Sequence, residues 1–150
     1  MLRFFLAAFL FLTPTAYAQT NAEIGEVAAV MEAADQKDWT RVASFRSSPM
    51  VRDLALWRIL SAGEGSWRQY SDFAARNPDW PNLKRIRREG ERTMPSGLSA
   101  AEIDGFLGSQ GVQTGWGALR RAEALRLAGR GGEADQQLID AWSTLSMSVE

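Results

Sequence analysis

Helix starts and helix stops punctuate this sequence throughout, and no stretch alternates apolar and polar residues long enough to make a strand. The fold class that follows is all-α. The spacing predicts helices over 22–36, 38–46, 50–61, 66–76, 81–93, 99–108, 115–128 and 132–146. Ser66-Trp67-Arg68-Gln69 and Ser99-Ala100-Ala101-Glu102 fit the capping box, in which the hydroxyl accepts an orphan N–H and the third residue reaches back. Pro81 suits a first helical turn, where its missing N–H would have had no partner. Gly63, Asn77-Pro78, Gly97, Gly111 and Gly129 interrupt the pattern between helices. With 150 residues, the chain fits one small domain.

Apolar spacing sorts these helices by position. Val51, Leu54, Ala55, Leu56, Trp57, Ile59 and Leu60 leave almost no polar face, so the 50–61 helix is expected between neighbours. Leu83, Ile86 and Gly90 form a narrow stripe on a helix otherwise filled by Lys84, Arg85, Arg87, Arg88, Glu89, Glu91 and Arg92, which places that helix on the outside with its charges in water. Trp57 and Trp142 stand at core spacing and are expected to be buried. The last pair carries Ala118, Ala122, Leu125, Gly129, Ala134, Leu138 and Ala141, whose small residues let two antiparallel helices approach closely. This resembles the tetratricopeptide pattern, although Ala118, Arg121 and Ser146 occupy its usual Trp, Leu and Pro positions. The expected architecture is a set of stacked helical hairpins forming part of an α-superhelix, with the face of Leu138, Ile139, Trp142 and Leu145 left without a following helix.

Composition removes most chemistry. There is no His and no Cys, which excludes disulfides, N/S zinc sites, thiol nucleophiles and a Ser-His-Asp triad. Seventeen basic against 18 acidic side chains give a net charge of −1, with no overall field for nucleic acid. An active site would have to use carboxylates, Lys84, Ser/Thr or Tyr70, and Glu64, Asp72, Asp79, Glu89 and Asp104 show no spacing that singles out an acid/base pair. The Gly63-Glu64-Gly65-Ser66 turn has no following Lys and no preceding strand, so it is not a phosphate loop; Gly111, Gly115 and Gly117 read as loop and helix-start glycines. Lys84 to Arg92 could meet an anionic polymer, but interleaved Glu89 and Glu91 make a solvated face the simpler account. Tryptophan rings could stack on sugars, and Trp80, in a loop between Pro78 and Pro81, is the one whose place spacing settles least, with the plug of a hairpin end as its other role. No catalytic, metal-binding or cofactor-binding residue is assigned.

The N-terminus carries an address. Arg3, the apolar run Phe4 to Leu12, Pro14 and the triplet Ala16-Tyr17-Ala18 follow the order of a secretory signal peptide. As a helix the run would cover only about 14 Å, too short for a bilayer span. Residues 1–18 are therefore expected to be removed after Ala18, leaving residues 19–150 outside the inner membrane with no membrane anchor.

Leu54 to Leu60, then Gly63-Glu64-Gly65-Ser66-Trp67, then Arg76-Asn77-Pro78-Asp79-Trp80-Pro81 with Arg87-Arg88-Glu89, resemble the N-terminal helical part of soluble lytic murein transglycosylases. Thr114-Gly115, Gly117-Ala118-Leu119 and the stretch to Ala141-Trp142 look like its continuation, so the resemblance covers roughly residues 25–150. It implies a periplasmic α-superhelix attached to a lysozyme-like domain that cleaves peptidoglycan to 1,6-anhydromuramyl ends with a single Glu. The Glu-Ser motif and the Gly-Leu-Met-Gln type motif of that domain are missing, so no catalytic residue carries over and the chain by itself is expected to be inactive. Residues 19–150 are then the N-terminal scaffold portion of such an enzyme, with peptidoglycan as its partner. The competing reading is a stand-alone periplasmic helical-repeat module that binds a protein and performs no chemistry.

Overall fold

A computed structural model describes residues 15–145, with side chains from residue 21 onward. Among these residues the chain is all-α: α1 (Thr15–Asp35), α2 (Trp39–Ser44), α3 (Pro49–Ser61), α4 (Trp67–Arg76), α5 (Leu83–Glu91), α6 (Ala100–Leu107), α7 (Gly115–Leu127) and α8 (Gly131–Thr144), with one 3-10 turn at Gly108–Gln110. Most of the predicted leader, 1–18, lies outside the described residues, as does the end of the last predicted helix beyond Leu145.

Local chemistry sets the ends. At α6, Glu102 N–H donates to the Ser99 hydroxyl (3.2 Å) while the Glu102 carboxylate accepts from Ser99 N–H (2.9 Å), closing the predicted box. Gln69 likewise accepts the Ser66 N–H at 2.9 Å at the start of α4. Asp38 caps α2 by accepting from Arg41 N–H, and Thr114 caps α7 by accepting from Gly117 N–H. Gly63 and Gly129 take positive φ just after α3 and α7, Gly111 does so after the 3-10 turn, and Gly97 does so in the loop between α5 and α6. Two starts differ from the sequence expectation: α1 begins at Thr15, ahead of the expected residue 22, and α5 begins late. Pro81 stays outside α5, because Asn82 adopts a left-handed φ of 60° and breaks the helical run before Leu83. The first-turn proline is instead Pro49 of α3, behind an N-cap Ser48 that accepts from Val51 N–H.

Two larger cores share α3. Val30, Ala33 and Ala34 of α1 meet Val42 of α2 and Val51, Ala55 and Ile59 of α3. On the other side, Leu60 joins Tyr70 and Phe73 of α4, Leu83 and Ile86 of α5, and Ile103, Phe106 and Leu107 of α6. Adjacent residues Ile59 and Leu60 thus point into different cores, which is why α3 needs apolar side chains nearly all round. Trp67 lies edge-on to Phe106 with centroids 4.7 Å apart. Each large side chain buried this way contributes about 1.5–3 kcal/mol.

The α7–α8 hairpin closes on the predicted small residues: Ala122, Leu125 and Ala134 form a third cluster, with Ala118 and Ala141 also buried. Arg126 bridges to Asp135 at 2.7 Å, and Arg121 donates to Gln137, so polar pairs flank the apolar seam. Trp142 corrects the expectation of burial, since it is 74% exposed. Ala134, Leu138 and Ala141 turn toward α7, which leaves Ile139 and Trp142 on faces that α7 does not cover. Ile139 and Trp142 fit the expected uncovered apolar face, whereas Leu138 of that face packs on the hairpin seam.

Candidate functional site

The five carboxylates considered from sequence are spread over separate elements. Glu64 and Asp79 stand exposed in loops, and Asp72 is exposed on α4. Glu89 pairs with Arg88 and Arg92 at 3.6 and 3.4 Å. Asp104 is held by Arg121 at 2.7 Å. Tyr70 is fully buried, and its hydroxyl donates to the Leu60 carbonyl at 3.2 Å. Burial pushes this phenol up, against a hydrogen bond at Gly65 that lowers it and nearby Glu89 and Glu64 that add to the rise. It reaches no cleft. The glycine of the adjoining turn is also explained by packing, because a Cβ on Gly65 would collide with Leu60 and press on Tyr70.

The carboxylate that burial singles out is Glu91, which the sequence pattern placed on a solvated face. It is 0% exposed. Its carboxylate accepts from Gln113 N–H at 2.9 Å, Thr114 N–H at 2.7 Å and the Thr114 hydroxyl at 2.7 Å. It therefore sits at the positive N-terminus of α7, tied to the residue that caps it. A Cβ on Gly117 would strike this carboxylate, so the glycine makes the close approach possible. Burial raises the Glu91 carboxyl above its ordinary range, opposed by the hydrogen bonds from Thr114 and Gln113. With its acceptors turned onto backbone donors, Glu91 joins α5 to α7 as a structural clamp. No signal in the local sequence marks it, because its partners lie more than 20 residues away.

The basic cluster is partly dispersed. Lys84, Arg85 and Arg88 are exposed beside a shallow hollow shared with Asn82 and Gln113, whereas Arg87 is half-buried. Among the described residues, no group of acidic side chains could hold a metal, and no helix is long and apolar enough to cross a membrane.

An open, largely apolar hollow lies where α3 meets the α4–α5 connection. Leu54, Trp57, Arg76, Asn77, Pro78, Asp79, Trp80 and Pro81 line an open cleft of about 510 Å³. The corner is built locally by Asn77, which leaves the helical region (φ −128°, ψ 60°) ahead of Pro78 while its N–H and side-chain amide both donate to Phe73 O. Trp80 N–H then donates to Asn77 O, and the Trp80 ring packs edge-on against Phe73 with centroids 5.6 Å apart. From α3, Trp57 Nε1 donates to Pro81 O at 2.9 Å. Arg76 ties the corner back to α3 through Asp53 at 3.3 Å. Comparison with known protein families, with curated proteins and with solved structures finds no match for this chain.

Proposed function

We propose that this chain is the N-terminal helical scaffold portion of a periplasmic lytic transglycosylase, an enzyme that cleaves peptidoglycan glycan strands to 1,6-anhydromuramyl ends, and that it contributes no acid/base group of its own. The observation that carries the reading is the meeting of the motifs behind the resemblance. Trp57 of the first motif and Trp80 and Pro81 of the third, more than 20 residues apart in sequence, form one corner. A motif conjunction that builds a tertiary joint fits a shared scaffold.

The leader fits export, and sequencing the mature protein from a periplasmic fraction should give Gln19 as its first residue. The decisive test is to read the coding DNA beyond Glu150 in every frame and assay the product on purified sacculi. A downstream Glu-Ser lysozyme-like segment, whose addition makes anhydromuropeptides appear while residues 19–150 release none, is the expected result. A natural stop with no such segment nearby would replace this reading with the protein-binding helical module. The exposed Ile139 and Trp142 of α8 are the observation that favours that alternative.

A further inference from the structure

We infer that the cleft between α3 and the 77–81 loop is a binding site for a neutral, hydroxyl-rich sugar, one or two pyranose rings of a glycan strand. The inference rests on the cell-wall reading for the kind of glycan, but its geometry does not depend on it. A cleft of about 510 Å³ lies within the size range of small-ligand sites. Its walls are the rings of Trp57, Trp80, Pro78 and Pro81 with Leu54, which offer flat apolar surface to the C–H face of a pyranose. The indole N–H of Trp57 is already bound to Pro81 O, so what that ring offers a ligand is apolar.

Three polar side chains complete the lining: Arg76, Asn77 and Asp79. Arg76 donates, the Asp79 carboxylate accepts, and Asn77 keeps its amide oxygen after its nitrogen is engaged by Phe73 O. The cation of the lining, Arg76, is already paired with Asp53, so the cleft offers no spare positive charge to select an anion. Donors and acceptors set around an apolar floor match hydroxyl and acetamido groups. A lipid chain would offer nothing to the Asp79 carboxylate and the Asn77 amide oxygen, and a packed helix would need a far larger surface.

The test is a nuclear magnetic resonance titration of the folded chain with a soluble β-1,4-linked N-acetylglucosamine tetramer, following the indole N–H signals. Trp57 and Trp80 should shift together and saturate, while Trp142, which is 74% exposed, should stay in place. Asp79→Ala, in an exposed loop position, should keep the helical circular dichroism and weaken binding about tenfold. Trp80→Leu should abolish it, and its melting curve reports whether the fold survives. No shift at millimolar tetramer, equal movement of Trp142, or unchanged affinity in Asp79→Ala would overturn the inference. So would saturating shifts of Trp57 and Trp80 with a proline-rich peptide and none with the sugar. None of these failures touches the scaffold reading, which is judged by the coding sequence and the sacculus assay.

Discussion

Glu91 shows how much one side chain decides. Replacing it with Ala would strand the N–H groups of Gln113 and Thr114 in a buried site, and the expected loss is about 3 kcal/mol, measured by urea unfolding. Its titration also predicts a slope. The folded carboxyl binds its proton more tightly than the unfolded one, because burial raises it. This contribution therefore favours the fold below the ordinary Glu range and is lost as pH rises to the raised folded value. Above that value it is flat. Subtracting the pH–stability profile of Glu91→Gln from that of the natural chain should reveal a decline across that window; a difference that rises with pH would reverse the assignment. Glu102 and Glu133, both lowered by hydrogen bonds from Ser99 and Arg130, act in the opposite sense and cancel in the subtraction.

At the scale of elements, the α7–α8 hairpin depends on small residues. Ala122 and Ala134 are both 0% exposed within one cluster, which leaves no room for a longer side chain between the helices. Ala122→Leu should therefore overpack the seam and cost about 1–3 kcal/mol, read as a lowered melting temperature. A melting temperature that holds or rises would mean the seam has slack. α3 is built on the opposite rule, with branched and aromatic side chains serving a core on each flank.

Across the whole molecule, burial is uneven. α3 is held from both sides, whereas the buried residues of α8 are Ala134 and Ala141, with Ile139 62% and Trp142 74% exposed. Local opening should therefore be easier in α8. Hydrogen exchange is expected to show weaker protection over 131–144 than over 49–61, and equal protection in a confirmed monomer would mean α8 is covered by something other than α7. α3 joins the two larger cores, and the hairpin is tied to the second of them at several points: Ala124 of α7 lies in that core, Glu91 holds the start of α7, Trp116 Nε1 donates to Met94 O, and Asp104 pairs with Arg121.

The sequence by itself determined the all-α class and most helix boundaries, the starts of α1 and α5 apart, because caps and glycine stops act within about four residues. Ser99 with Glu102 and the positive-φ Gly129 are legible without knowing what lies across from them. The close seam of Ala122, Ala134 and Ala141 was legible too, since a two-helix hairpin brings a short stretch of chain against its neighbour. Only the tertiary structure decided which side chains water reaches. Glu91 and Arg92 are adjacent charged residues, yet one is sealed and the other exposed, because α7 begins against the first. Trp142 has core spacing but faces away from α7, and Pro81 lies outside α5 at a corner that Trp57 reaches from α3. Periodicity records which residues share a face; whether anything covers that face depends on packing between segments distant in the chain.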